Sequence, residues 1–353
     1  MEAIAATIEA LDASMVGAAL GRPGALREVT ATRIGTGQVA MSLRLDLEWV
    51  DGTEVDAPAT VIAKIPAPEP QSREAARLMR TYHLEVGFYR DVSPLVSIPH
   101  PQAFHAAIDD PSGDFTLLMA TAPGEVGDQL AGCTFAQAAA MVDAAVGLHA
   151  PTWNRVDALG SLPWLGLPDP AAIAMRVGAY AMLLPGFQQR FADRLSAEVL
   201  EAASWLGAHL GEVIAAYRSP VCLTHGDFRL DNMLFVDTAS TSAVTVLDWQ
   251  TVGFGRGATD VAYGIGSGLV GDERRRHEAA LVDRYIDGLA AAGVDVVADD
   301  VRIDYRLGTV SGLAMAVIAS QLVASTERGD EMFAVMAERH AAQMADNDVF
   351  ALV

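Results

Sequence analysis

Residues 223–235 read LTHGDFRLDNMLF, and residues 244–250 read VTVLDWQ. Asp227 lies five positions before Asn232, and Asp248 ends a β-branched run sixteen residues after Asn232. Phosphoryl transfer needs a carboxylate that orients the attacking hydroxyl and accepts its proton, together with oxygen ligands that hold magnesium against phosphates. The spacing therefore predicts Asp227 as the catalytic base and Asn232 and Asp248 as magnesium ligands. The alternative is an ordinary turn rich in Asp and Asn.

The chain around these residues is mostly helical. Apolar residues at three- and four-residue spacing predict helices over Phe135–His149, Pro170–Leu184, Phe187–Tyr217, Asp272–Ala292 and Val301–Thr326. Short apolar runs between polar loops predict strands over Val221–Leu223, Met233–Val236 and Val244–Leu247. The candidate residues thus lie on loops of a small β-rich island inside a helical region.

The N-terminal part has a different pattern. Residues 39–49 alternate apolar and polar side chains, which is typical of a half-buried strand. Asp51-Gly52 favours a hairpin turn, and a second strand is predicted over Ala59–Ile65. A shorter run, Val29–Ile34, precedes Gly35-Thr36-Gly37, so both glycines fall in the turn of a first hairpin. These patterns predict an antiparallel sheet.

One helix and one further strand complete the N-terminal part. Helical spacing predicts a helix over Ser72–Tyr89 with Ser72 as its N-cap, and Phe115–Met119 is typical of a short strand. The Gly- and Pro-bearing stretch that follows is the predicted linker. We therefore expect an α+β protein with an N-lobe over 1–120 (a leading helix, an antiparallel sheet and one helix), a hinge over 121–132 and a helical C-lobe over 133–353.

Composition excludes several classes of protein. The 353 residues carry a net charge of −21, which disfavours binding to nucleic acid or to anionic lipid. Two cysteines, the absence of a basic leader and the absence of an apolar run of about 20 residues predict a reduced, cytoplasmic protein that does not bind membranes. The scattered histidines, among them His149 and His340, do not predict a zinc site. The oligomeric state is left open.

The stretch over 225–235, followed by Asp248-Trp249-Gln250, resembles the aminoglycoside phosphotransferase and choline-kinase-like family. It is most similar to the subgroup of ecdysteroid-kinase-like proteins and of phosphotransferase domains associated with acyl-CoA dehydrogenases. The resemblance implies a bilobal protein-kinase-like fold, with a small antiparallel-sheet N-lobe and a larger, mostly helical C-lobe. It also implies that Asp260 caps a helix and braces the catalytic loop.

The resemblance assigns two residues to the nucleotide phosphates. Lys64, on the predicted strand 59–65, matches the family lysine that holds the α- and β-phosphates. Glu85 matches the glutamate that holds this lysine, since it begins the family pattern E-x-x-F-Y. Glu74 is the alternative partner, although an acidic residue near a helix start needs no functional explanation.

The resemblance assigns three more residues to the nucleotide, two in a glycine loop and one at the hinge. Gly35 and Gly37 resemble a glycine-rich loop but have two glycines where protein kinases have three, and a G-x-G is common in any hairpin. Met119 ends the strand where the family's hinge contacts adenine, through backbone groups that any residue offers. The residues after it depart from the acidic pair of many relatives.

Arg229 lies two positions after Asp227, where protein kinases have a lysine that steadies the transferred phosphoryl group. A salt bridge to Asp231 is the alternative. The expected function is an ATP- and Mg²⁺-dependent phosphotransferase that acts on a hydroxyl of a small molecule. A nucleotide-binding pseudokinase or scaffold is the alternative, and a protein kinase is disfavoured because no A-P-E segment follows Asp248.

Overall fold

A computed structural model describes residues 3–35, 39–167 and 169–353. The chain divides into two compact units, and neither unit is continuous in sequence. The first unit consists of Met1–Leu95, His100–Pro123 and Leu247–Val252, and the second of Val96–Pro99, Gly124–Val246 and Gly253–Val353. The segment Leu247–Val252 carries Asp248, so this residue belongs to the first unit although sequence order places it in the second lobe. The lobe boundaries themselves stay a prediction.

The first unit contains a five-stranded antiparallel sheet, as the sequence predicts. Its strands are β1 (Leu26–Ile34), β2 (Ala40–Trp49), β3 (Thr60–Pro66), β4 (Ala103–Ile108) and β5 (Phe115–Ala120). The strand order is β1-β2-β3-β5-β4. Sequence analysis missed β4, because its sequence, AFHAAI, has no alternation of apolar and polar residues.

Strand β2 shows how the pattern produces the sheet. Leu43 and Leu45 are 1% and 0% exposed, whereas Arg44 and Asp46, which alternate with them, face solvent. The buried face packs into a core with residues of β3 such as Val61 and Ile65. The turn after β2 contains Gly52 at φ +83°, a conformation that glycine adopts without strain, so the predicted hairpin is confirmed.

The helical part of the first unit differs from the prediction. The helices are α1 (Ala13–Ala19), α2 (Pro70–Met79) and α3 (Thr81–Gly87), and a π-helical turn continues α3 over Phe88–Val92. The single helix expected over Ser72–Tyr89 is therefore wrong. Arg80 adopts a left-handed conformation, φ +56°, that separates α2 from α3. The expected N-cap is also wrong, since α2 begins at Pro70, whose fixed φ suits the first helical position.

The second unit is mostly helical, as expected. Its helices are α4 (Phe135–Thr152), α5 (Val156–Leu159), α6 (Pro170–Phe191), α7 (Ala197–Ala216), α8 (Gly257–Gly268), α9 (Gly271–Ala291), α10 (Ala298–Gly308), α11 (Val310–Leu322) and α12 (Glu327–Asp346). Three expected helices have wrong bounds. Helix α6 continues through Pro185 to Phe191, and the helix expected over Phe187–Tyr217 is interrupted after Phe191 and resumes as α7 at Ala197. The helix expected over Val301–Thr326 is divided at Thr309, whose hydroxyl donates to the carbonyl of Arg306.

Short strands in the second unit hold the loops of interest. They are β6 (Glu125–Val126), β7 (Cys222–Thr224), β8 (Met233–Asp237), β9 (Ser242–Val246) and β10 (Gly253–Gly255). Antiparallel pairing joins β6, β8 and β9 in one sheet and β7 and β10 in another. The loop between β7 and β8 carries Asp227 and Asn232, and β9 leads into the segment with Asp248.

Helix α6 is 22 residues long and, by length and composition alone, could cross a bilayer. It is also little buried within the protein. Core helices of other proteins pass the same test, and Arg176 interrupts its apolar sequence. The expectation that the protein does not bind membranes stays a prediction.

Candidate active site

The first unit brings Lys64, Glu85 and Asp248 together. Lys64 Nζ donates to Glu85 Oε1 at 2.6 Å and to Asp248 Oδ1 at 3.0 Å. The three residues come from β3, α3 and the segment after β9. The side chains of Lys64 and Glu85 are 11% and 2% exposed, whereas that of Asp248 is 30% exposed. The predicted Lys64–Glu85 pair is therefore present, and Asp248 is the member of the cluster that solvent reaches.

The alternative partner, Glu74, does not contact Lys64. It forms an exposed ion pair with Arg77 on the same helix, at 2.8 Å. Its position near the start of α2 and its local partner explain it without a functional role.

Aromatic stacking holds the segment that carries Asp248. The rings of Trp249 and Phe88 stack with centroids 3.5 Å apart, and Trp249 is fully buried. The backbone N–H of Trp249 donates to the Glu85 carboxylate. Asp248 itself has φ +64°, a left-handed conformation that is uncommon outside glycine and that often marks functional sites.

The charges of this cluster do not balance, because one ammonium faces two carboxylates. Burial alone would lower the pKa of Lys64, but the charges of Asp248 and Glu85 outweigh it, and the pKa lies above its ordinary value. Burial raises the pKa of Glu85, and the charge of Lys64 opposes this effect. Lys64 is therefore charged at neutral pH. The cluster keeps one negative charge that Lys64 does not balance, and solvent reaches the cluster at Asp248, so a cation would be attracted there.

The second unit holds Asp227 through three side chains. Arg229 Nε donates to Asp227 Oδ1 at 3.0 Å and to Oδ2 at 3.2 Å. Tyr263 Oη donates to Oδ1 at 3.0 Å, and Asn232 Nδ2 donates to Oδ2 at 2.8 Å. The Asp227 side chain is 13% exposed. Its carboxylate is therefore fixed in orientation, with a small surface left for a ligand.

These partners also determine the ionisation of Asp227. Burial would raise the pKa of Asp227, but the charge of Arg229 and the hydrogen bonds from Asn232 and Tyr263 outweigh it. The pKa therefore lies below its ordinary value. A carboxylate of this kind is ionised at neutral pH and can accept a hydrogen bond from a hydroxyl, but it is a weak base. The arrangement suits orientation of a hydroxyl better than strong proton abstraction.

Arg229 makes the salt bridge that the sequence analysis left as an alternative. Its Nη1 donates to Asp231 Oδ2 at 2.7 Å, while Nε binds Asp227. Asp231 Oδ1 in turn accepts from the backbone N–H of Gln129 at 3.1 Å. Arg229 thus braces the loop, and its expected contact with a phosphoryl group stays a prediction.

The candidate metal ligands are chemically suited to magnesium. Asn232 donates through Nδ2 to the carbonyl and carboxylate of Asp227, and this leaves its amide oxygen for a cation. Asp248 supplies a carboxylate oxygen. Magnesium keeps several waters and commonly takes one or two protein oxygens together with substrate phosphates. Within the described residues, no three His, Cys, Asp or Glu side chains form a group that could hold a metal.

Residues on α8 hold the turn before Asp227. Asp260 accepts from the backbone N–H groups of His225 at 2.6 Å and Gly226 at 3.0 Å. Gly226 has φ +82°, a left-handed conformation that glycine adopts without strain. His225 is fully buried, and its Nδ1 lies 3.3 Å from the backbone nitrogen of Asp227. Asp260 therefore clamps the backbone that presents Asp227.

Tyr263 was missed in the sequence analysis. It lies three residues after Asp260, so the two side chains share one face of α8. Once Asp260 is expected to contact the catalytic loop, a tyrosine one turn later is a candidate for the same loop. This spacing is the signal that could have found it.

The nucleotide-binding roles expected of Gly35, Gly37 and Met119 stay predictions. Gly35 has φ +68° at the end of β1, and Gly37 lies outside the described residues. Met119 is 6% exposed and lies on β5 opposite Ile62 of β3, one residue before the strand ends at Ala120. The backbone groups for an adenine ring would therefore come from Met119 onward.

The second unit also contains a cavity of about 1170 Å³ that is separate from the surroundings of Asp227. It extends along α4 and β9, and its lining residues include Trp153, Arg155 and Thr245. Asp227 and its partners do not line it.

Comparison with known proteins gives the family and the fold of the chain. The sequence profile of the phosphotransferase enzyme family (APH) matches residues 48–299. No curated protein sequence matches the chain. Among solved structures, choline kinase from Cryptosporidium parvum Iowa II has a TM-score of 0.57 at 9% identity, with 92% of this chain and 90% of that chain covered. Ethanolamine kinase from Plasmodium vivax has a TM-score of 0.52 at 11% identity, with 88% and 81% covered.

These structures confirm the expected kinase-like fold and, at such identities, the fold alone. The family profile covers more than two thirds of the chain and includes Lys64, Glu85, Asp227 and Asp248. The family expected from the motifs is therefore confirmed. The chain belongs to the phosphotransferase enzyme family and is an enzyme of the kinase-like fold.

Proposed function

We propose that the protein transfers the γ-phosphoryl group of ATP, with Mg²⁺, to a hydroxyl group of a small molecule. The observation that carries the proposal is the Asp227 carboxylate, held ionised by Arg229, Tyr263 and Asn232 and still partly accessible. The solved relatives named above are kinases of choline and of ethanolamine, both small alcohols. This supports a small-molecule acceptor.

The chemistry assigns a task to each residue. Asp227 orients the acceptor hydroxyl and receives its proton, the acceptor oxygen forms a bond to the γ-phosphorus, and the bond from that phosphorus to the β–γ bridging oxygen breaks, so ADP leaves. Lys64, charged and fixed by Glu85, binds phosphate oxygens. Asp248 and Asn232 are the proposed magnesium ligands, and magnesium when bound neutralises phosphate charge.

The experiment compares the wild-type protein with Asp227→Asn. Asparagine keeps the shape and a hydrogen-bonding oxygen but cannot accept the proton. We expect ADP release, measured with a panel of hydroxylated metabolites and also without acceptor, to fall by about 10²–10⁴-fold. The Kd of Mg-ATP should change little. Asp193→Asn, an exposed aspartate after α6, is the matched control and should keep wild-type turnover.

Two outcomes would contradict the proposal. Wild-type protein that binds ATP without magnesium and releases no ADP with any acceptor would instead support a nucleotide-binding scaffold. Near-normal turnover in Asp227→Asn would remove Asp227 from the mechanism, and a large loss of Mg-ATP affinity would indicate that it is a metal ligand.

A further inference from the structure

A buried histidine connects three helices behind the catalytic loop. His149, on α4, is 0% exposed. Its Nδ1 lies 2.8 Å from Tyr285 Oη on α9, and its Nε2 lies 3.3 Å from Asp260 Oδ2 on α8. All three residues belong to the second unit. The proposed chemistry of Asp227 does not use His149, and a histidine without such a task is an expensive residue to bury.

The partners of His149 determine its tautomer. Asp260 accepts hydrogen bonds from two backbone N–H groups, and a carboxylate has only acceptors to offer. The Nε2 of His149 must therefore carry the hydrogen that points at Asp260. In a neutral ring Nδ1 is then an acceptor, so the Tyr285 hydroxyl donates to it. The contacts form a directed chain from Tyr285 through His149 to Asp260.

Close packing around Gly257 keeps the side chains of Tyr285 and His149 in place. A Cβ atom added at Gly257, the first residue of α8, would clash with Tyr285 Oη and lie 2.8 Å from His149 Nδ1. Only glycine leaves room for both side chains there. The ring of His149 also meets the ring of Tyr285 edge to face, with centroids 5.6 Å apart.

The chain of hydrogen bonds ends at Asp260, which binds the backbone that presents Asp227. Asp260 uses Oδ2 for both the His149 contact and the N–H of His225, and it uses Oδ1 for the N–H of Gly226. The direction of the Asp260 carboxylate therefore sets the position of this left-handed turn. A rotation of that carboxylate would move the turn, and a displacement of about 1 Å at a reacting group can cost about 100-fold in rate.

We propose that His149, with its Nε2–H directed at Asp260 and its ring held in place by Tyr285, is a positioning residue for the catalytic loop and acts through Asp260. This inference rests on the proposed function only in so far as Asp227 is the residue positioned. The structural part of the inference is that His149 holds the turn at His225 and Gly226, and this can be measured without catalytic activity.

The test uses variants of the full-length chain. His149→Leu removes both ring nitrogens, His149→Gln keeps an N–H donor at the distance of Nε2, and Tyr285→Phe removes only the hydroxyl. We expect kcat to fall roughly 10-fold or more in His149→Leu, with the KM for ATP unchanged. His149→Gln should recover most of the loss, and Tyr285→Phe should lie between. Tyr180→Phe, which loses a buried hydroxyl bound to the carbonyl of Ala203, should keep the wild-type kcat.

Two measurements are independent of activity. Hydrogen exchange of the His225 and Gly226 amides should accelerate at least about tenfold in His149→Leu and in Tyr285→Phe, while amides within α7 keep their protection. In protein labelled with ¹⁵N-histidine, the signal lost in His149→Gln should be that of a neutral ring protonated at Nε2. These measurements stand even if the wild-type protein phosphorylates no acceptor, an outcome that would refute the proposed function alone.

Three results would overturn the inference. A ring protonated at Nδ1 would reverse the direction of the hydrogen bonds. Unchanged exchange at His225 and Gly226 in both variants would show that the turn does not depend on His149. A lower melting temperature with unchanged kcat in Tyr285→Phe, which keeps the ring and should fold even if His149→Leu does not, would assign these residues to stability only.

Discussion

Removal of Lys64 and removal of Glu85 should have unequal and non-additive effects. Lys64→Met leaves the carboxylates of Glu85 and Asp248, whose side chains are 2% and 30% exposed, without a counter-charge. Removal of one partner from a buried ion pair costs about 3–5 kcal/mol. Glu85→Gln instead leaves Lys64 bonded to Asp248 at 3.0 Å, so we expect a smaller loss of about 1–3 kcal/mol, the cost of one buried charge-assisted bond.

The double variant Lys64→Met/Glu85→Gln tests whether the two residues act as one unit. Because the second substitution removes the charge that the first leaves unpaired, the total loss should be smaller than the sum of the single losses by about 1–3 kcal/mol. Urea unfolding followed by tryptophan fluorescence measures these free energies, since Trp249 is stacked on Phe88 within the same unit. Titration with Mg-ATP on the same four proteins should show weaker binding wherever Lys64 is absent.

The exposed pair of Glu74 and Arg77 is the matched control. These side chains are 55% and 59% exposed, so the corresponding cycle should give no measurable coupling. Additivity of the Lys64 and Glu85 substitutions within about 0.5 kcal/mol would refute the reasoning. Equal coupling in the exposed pair would refute it as well, because burial would then not be the source of the effect.

Asp248→Ala should abolish the magnesium-dependent rise in Tm with an ATP analogue while the protein stays folded, and a full rise would show that Asp248 is not a metal ligand. Tyr263→Phe should lower kcat by roughly 10-fold at unchanged KM for ATP, since one of the donors to Asp227 is lost, and steady-state kinetics with an intact kcat would contradict this role. Burial lowers the pKa of His340 to about 4, below the unfolded value near 6.5, so the unfolded chain binds the proton first. Its contribution to stability should be complete above about pH 6.5 and decline by about 3 kcal/mol toward pH 4, a slope that urea unfolding should find reduced in His340→Leu.

Local patterns predicted the sheet of the first unit well. In β2 the alternation of buried leucines with exposed charged residues is visible in the sequence, and the Asp51-Gly52 turn sets the hairpin. The division of the predicted helix at Arg80 was not visible, because arginine is a good helix former and its sequence position carries no sign of the left-handed conformation that it adopts.

The candidate site was predictable where its residues are close in sequence. Asp227 and Asn232 lie five positions apart on one loop, so spacing alone relates them. The contact of Tyr263 with Asp227 joins residues 36 positions apart, and the position of Asp248 in the first unit depends on the stacking of Trp249. Such contacts follow from the packing of elements and leave no local pattern.

The left-handed backbone at Asp248 restricts which residues the position can accommodate. A φ of +64° is tolerated by glycine and, among residues with a side chain, best by asparagine and aspartate. Glutamate would keep the negative charge and is an equally good oxygen ligand in chemical terms, but it would strain the main chain there. Substitutions at this position should therefore separate backbone tolerance from charge: Asn should leave the main chain unstrained and lose only the charged bond to Lys64, whereas Glu should strain the main chain although it preserves the carboxylate.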